Sequence, residues 1–133
     1  MSFKNYKELK IWQDGVSLTK LCYDFVSEFP KDEIFGLSSQ IRRSAVSVPS
    51  NIAEGHSRNS SRDFLKFISI ACGSLSELET QIIIANEIGI ANKDKIKVIL
   101  EKITSLQKML WSFRKQLNIQ VFDVKNIANA PIS

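Results

Sequence analysis

The sequence predicts an all-α protein, an antiparallel up-down four-helix bundle, and three observations carry that reading. Apolar residues recur at steps of three and four in four separate segments, the spacing of one buried helix face. The chain has five glycines and three prolines in 133 residues, too few for a fold built from many turns. No long window alternates apolar and polar residues as a half-buried strand does.

The first helix is expected over about 8–28. Ile11, Leu18, Cys22, Phe25 and Phe29 set its stripe, and Trp12, Val16, Tyr23 and Val26 widen it. Pro30 should stop it near Glu28, because the residue before a proline disfavours helical backbone. The second helix is expected over 37–55, on the stripe Leu37, Ile41, Ala45, Val48 and Ile52. Pro49 lies inside it. A mid-helix proline removes one backbone hydrogen bond and pushes on the carbonyl four residues back, here that of Ala45. The spacing continues to Ile52, so the expectation is one helix kinked at Pro49 and closed by Gly55 as a C-terminal glycine.

The third helix, 61–88, is the clearest. Ser60 or Ser61 can cap it, with Asp63 in a variant capping box. Phe64, Ile68, Ala71, Leu75, Leu78, Ile82 and Ala85 form a heptad seam, and Gly89 marks its end. Ala71, Gly73 and Ser74 are small enough to let a neighbouring helix approach. The fourth helix, 93–117, follows a cap at Asn92 and repeats Ile96, Ile99, Ile103, Leu106, Leu110, Phe113 and Leu117. The bundle then occupies 1–117, and 118–133, with Pro131, is expected to be an irregular tail.

Composition bounds the function. Hydrophobic residues make up 44% and charged residues 24%, ordinary for a soluble globular domain. The polar start MSFKNYKELK has no apolar signal region, and charges interrupt the apolar stretches, so a cytoplasmic location and no membrane span are expected. Cys22 and Cys72 fall in apolar helical patterns, as reduced, buried thiols do. His56 is the only histidine, so paired Glu-x-x-His metal sites are impossible, and it sits in a polar turn as a solvated residue. There is no phosphate-binding glycine loop and no dinucleotide fingerprint. No catalytic, metal or cofactor site is expected.

The net charge of +4 fits an anionic partner without requiring one. Arg42, Arg43, Arg58, Arg62 and Lys66 lie close in sequence, opposed only by Glu54 and Asp63, and are the candidate nucleic-acid contacts. The lysines of the fourth helix are spread round its polar surface and rank second. One of Arg42 and Arg43 is expected to pair with Glu77, Glu79 or Glu54, leaving the other to solvent or a partner. Asn51 and Glu54 are expected to satisfy backbone groups freed by Pro49 or to cap a neighbouring helix. Trp12, Phe67 and Ile70 fall beside the main stripes. They mark either a subunit interface or a wide core face.

Three strings carry a resemblance. YKELKIWQDGVSL opens the chain, FPKDEIFGLSSQIRRSAVSVPSNIAEGHSR follows, and FLKFISIACGSLSELETQI completes the set. Together they resemble the bacterial four-helix bundle proteins encoded inside intervening sequences of 23S ribosomal RNA genes, related to the accessory protein of diversity-generating retroelements. Gly15 stands where family members often carry alanine. The resemblance implies a homopentamer and no enzymatic activity. It also implies possible partners in RNA or DNA, or in a reverse transcriptase or other nucleoprotein. The expected function is a non-enzymatic homo-oligomer that binds nucleic acid or a nucleoprotein through basic surface. The alternative is a protein scaffold with no nucleic-acid binding.

Overall fold

A computed structural model describes residues 5–33 and 35–129, with side chains as far as Phe122. Four α-helices form the chain: α1 (Lys10–Val26), α2 (Leu37–Ser57), α3 (Ser61–Glu87) and α4 (Lys93–Asn129). No strand occurs among the described residues. Each helix packs on the next, and α1 also packs on α4. Contacts between neighbours run in opposite order along their two helices. Gly15 and Thr19 of α1 meet Pro49 and Ala45 of α2, and Ser47 and Gly55 of α2 meet Ser74 and Phe67 of α3.

The seams read from the sequence form the core. Leu18, Cys22 and Phe25 of α1, Ile41 and Ile52 of α2, Ile68, Leu75, Leu78 and Ile82 of α3, and Ile103 and Leu110 of α4 are almost fully excluded from solvent. Burying each such aliphatic or aromatic side chain contributes about 1.5–3 kcal/mol, an upper bound because unfolded chains already bury some surface. Gln81, beside the α3 seam, is a buried polar residue. It is 6% exposed, and its Oε1 has no hydrogen-bond partner among the described residues.

The helix ends follow local chemistry. Ser60 Oγ accepts the backbone N–H of Asp63 at 3.2 Å, and Asn92 Oδ1 accepts those of Asp94 and Lys95 at 2.9 and 3.1 Å. Gly89, at φ 73°, closes α3. Its N–H donates to Asn86 O, and the N–H of Ile90 donates to Ala85 O, the paired bonds of a Schellman terminus.

Three expectations need correction. Gly55 does not end α2, which continues to Ser57; the left-handed residue after it is Asn59, at φ 60°. Gly55 instead marks a close helix approach, since an added Cβ would lie 2.6 Å from Phe67 Cβ and 3.0 Å from Phe64 Cδ1. The irregular tail is helical as far as Asn129, so α4 does not stop at Leu117. Val121 and Val124 continue the four-and-three spacing, and Pro131 is the first helix breaker; 130–133 lie outside the described residues. Finally, α3 is long and apolar enough to cross a membrane by length and composition alone, contrary to the reading from interrupted charge. Here it buries nine residues within the bundle.

Pro49 lies inside α2, buried, and helix continues on both sides of it. Gly15 makes room for it: a Cβ there would sit 3.3 Å from Pro49 Cβ. Of the small positions on α3, Ala71 and Ser74 are buried, whereas nothing lies within 4 Å of a Cβ built on Gly73.

Candidate nucleic-acid interface

The docking of α1 on α2 builds the site. Thr19 Oγ1 lies 2.8 Å from Gly15 O in its own helix and 3.1 Å from Ala45 O across the interface. Because the two helices run in opposite order, the next turn of α1 brings Tyr23 alongside the Arg42–Arg43 turn of α2. Tyr23 and seven residues of α2, Ser39, Arg42, Arg43, Val46, Ser47, Ser50 and Asn51, line an open cleft of about 490 Å3. The α2 residues recur at steps of three and one, so one continuous face of a helix supplies them. No carboxylate lines it.

Arg42 is half-buried and Arg43 exposed. Arg43 forms no ion pair among the described residues. Arg42 has an interaction of its own; of the acids considered as partners for this turn, Glu54 binds Arg58 and Glu79 accepts from Gln107 at 3.3 Å. The floor of the cleft is a polar chain. Asn51 Nδ2 donates to Ser47 O and Ser47 Oγ at 2.8 and 2.9 Å, and Ser47 Oγ lies 2.8 Å from Ser74 Oγ of α3. Asn51 is thus fixed by its own helix and does not cap a neighbour. Neither it nor Glu54 satisfies the carbonyl freed by Pro49. The Thr19 hydroxyl lies within reach of it, its single proton shared between Ala45 O at 3.1 Å and Gly15 O at 2.8 Å.

The remaining basic candidates belong elsewhere. Arg58 Nη2 lies 2.7 Å from Glu54 Oε1, and its guanidinium carbon is 5.3 Å from the centroid of Phe67. Both ends of that ion pair are about half exposed, so it contributes little stability. Arg62 and Lys66 are exposed on the first turns of α3. Fifteen residues of helix separate Arg43 from Arg58, roughly 22 Å at 1.5 Å per residue. The five residues therefore form two groups, one in the cleft and one at the α2–α3 turn. On α4, Lys95 is held by Asp24 Oδ2 and Glu28 Oε1 at 2.9 and 2.7 Å, which raise its ammonium above the usual range, Glu28 most. Lys115 lies 5.2 Å from the ring centroid of Trp111.

The apolar candidates divide in the same way. Trp12 is half-buried, edge-on to Tyr6 at 5.4 Å, and packs against the core. Phe67 is half-buried beneath Arg58. Ile70 is 42% exposed and faces outward, with Ile84 on the same helix at 43% and Ile88, the residue that caps its C-terminus, at 54%. His56 is not a loop residue: it sits in the last turn of α2, its ring edge-on to Phe64 at 5.7 Å.

Both cysteines are free. Burial pushes the Cys22 thiol up to about 12. Cys72 is half-buried, and its thiol is raised by burial and partly drawn back by Arg114.

Tyr23, Thr19, Ser39 and Ser50 were not singled out by sequence reasoning. Tyr23 widens the apolar stripe of α1 and reads there as core. Thr19 carried one usable signal, a hydroxyl on the helix that must face the proline-bearing one.

The sequence model of a family described as 23S rRNA-intervening sequence protein matches residues 7–112. No curated protein matches the chain. Among solved structures, the chain is similar to a protein of unknown function from the S23 ribosomal protein family of Bacteroides thetaiotaomicron VPI-5482. Its TM-score is 0.71 at 23% identity, over 79% of this chain and 98% of that one. That likeness is one of fold.

Proposed function

The chain belongs to the 23S rRNA-intervening sequence protein family, and from that premise we propose that it is a non-enzymatic, cytoplasmic, homo-oligomeric protein that binds nucleic acid or a nucleoprotein through basic surface. The observation that carries this reading is the cleft along α2. It gathers two guanidinium groups and three serine hydroxyls, and its lining residues include no carboxylate; of the two arginines, Arg43 is the one exposed without an ion pair among the described residues. Guanidinium groups and hydroxyls are the donors that phosphate oxygens take up.

A pentamer is the assembly that the family resemblance implies. The exposed isoleucines on α3 and at its C-terminus support self-association, since Ile70, Ile84 and Ile88 present apolar surface outside the bundle core. Assembly also multiplies the cleft, so that two cations per copy become a larger electrostatic footprint. The reverse transcriptase or other nucleoprotein implied by the resemblance would engage the protein through the same surface.

The scaffold reading rests on those same apolar side chains, which suit a protein partner as well as a second copy. Two measurements separate the readings. Sedimentation gives the assembled mass, and a stable monomer at micromolar concentration contradicts the pentamer. RNA and DNA binding across a salt series tests the cleft. Phosphate contacts predict affinity that falls as salt rises, whereas no binding at low salt leaves the scaffold.

A further inference from the structure

The ring of Tyr23 forms part of the wall of the arginine cleft and is 47% exposed. It is the one aromatic side chain among the eight lining residues. It makes no ring contact with another described aromatic residue. Beside it, Arg43 presents an exposed guanidinium without an ion pair among the described residues. Ser39 and Ser50 line the cleft along α2, about 16 Å apart at 1.5 Å per residue. An open ring next to a cation and a row of hydroxyls is the set of groups that holds an unpaired nucleotide. The ring takes the face of the base, the cation takes the phosphate, and hydroxyl groups take the sugar or base edge.

We infer that the cleft takes single-stranded nucleic acid, with one unpaired base stacked on Tyr23 and the adjoining phosphate held by Arg43. This inference rests on the nucleic-acid reading above and narrows it. A duplex does not suit the same groups. Its bases are already stacked on one another, so no base face is open to a ring on the flank of a helix bundle. A duplex also presents a negative charge about every 1.7 Å of its axis. The cleft offers two cations, and the second basic group lies about 22 Å further along. A single strand needs only one exposed base and one phosphate at each copy.

The test is fluorescence anisotropy at low salt with labelled strands of about twelve nucleotides, within the range of known single-strand sites. The strands are oligouridylate, oligothymidylate, an abasic strand of equal length and a duplex. The proteins are wild type, Tyr23→Ala, Tyr23→Phe and Arg43→Gln, each checked for helical content. Stacking predicts that a base-bearing strand binds roughly tenfold more tightly than the abasic one. Tyr23→Ala should abolish that preference and Tyr23→Phe should keep it.

The inference is overturned if the abasic strand binds as well as the others, if Tyr23→Ala matches wild type, or if the duplex binds more tightly than either strand. Its failure differs from failure of the broader reading. Arg43→Gln weakening all strands while Tyr23→Ala changes nothing leaves phosphate binding and removes the stack. No binding of any strand at low salt removes both.

Discussion

The hydroxyl of Thr19 lies 3.1 Å from the carbonyl oxygen of Ala45, the acceptor that loses its helical donor because Pro49 has no N–H. That hydroxyl also lies 2.8 Å from Gly15 O in its own helix, so its one proton is shared between the two carbonyls. One turn further along α1, Tyr23 lines the cleft with the arginine turn of α2. The contact at Thr19 and the cleft at Tyr23 thus belong to the same helix–helix interface.

The contact of Thr19 with Ala45 O predicts a coupling. Thr19→Val keeps the shape and removes the donor, and should cost about 1 kcal/mol. Pro49→Ala returns a backbone N–H to Ala45 O. In that background Thr19→Val should cost less, with a coupling of about 0.5–1 kcal/mol. Urea denaturation of the four proteins measures it; strictly additive effects would show that Thr19 does not serve the freed carbonyl.

Two glycine substitutions should differ. Gly55→Ala drives a methyl group against Phe67 Cβ and Phe64, and overpacking of that kind costs about 1–3 kcal/mol. Gly15→Ala meets Pro49 at 3.3 Å. There the gain of about 1 kcal/mol in helix propensity offsets a smaller adjustment, so the net change should be close to zero. Equal losses at both positions would contradict the close approach assigned to Gly55.

Gln81 offers a test of the core. Its buried Oε1 has no partner among the described residues, and leaving an acceptor unsatisfied costs about 1–3 kcal/mol. Gln81→Leu should raise the thermal midpoint of the protein. A lower midpoint would mean that another copy supplies the missing donor in the assembled state.

The Cys22 thiol predicts a pH dependence. Burial holds it at about 12, against 9.0 for an ordinary thiol. Between those values the unfolded chain loses a proton that the native state keeps. Stability should therefore fall as pH rises above 9, by up to about 1.4 kcal/mol per unit from this group; below 9 it contributes no slope. Cys22→Ala should show a shallower decline over pH 9 to 10.5 in chemical denaturation, because other groups, Lys95 included, remain in both proteins. Identical slopes would refute the assignment.

Much of the fold was legible because helices are specified locally. The seam from Phe64 to Ala85 and the caps at Ser60 and Asn92 need only neighbouring residues to be recognised. What escaped was set by partners distant in sequence. Gly55 looks like a terminus until Phe67 is seen against it. Tyr23 looks like core because a broad apolar stripe has the same spacing whether or not its edge is covered. The extension of α4 escaped for a different reason. Val121 and Val124 keep the period, but Ile119 and Phe122 place further apolar residues on another face and blur it. At the candidate site, closeness in sequence left open whether the basic residues form one patch, and the length of α2 divides them in two.

The central claim is that the cleft of Tyr23, Arg42 and Arg43 meets phosphate. The most direct measurement compares wild type with Arg43→Gln for binding to a single strand that spans one copy, across a salt series. Each phosphate contact contributes about 0.7 to the slope of log affinity against log salt. The variant should bind more weakly at low salt, with a slope shallower by about that amount. Equal affinity and equal slope for the two proteins would contradict the claim.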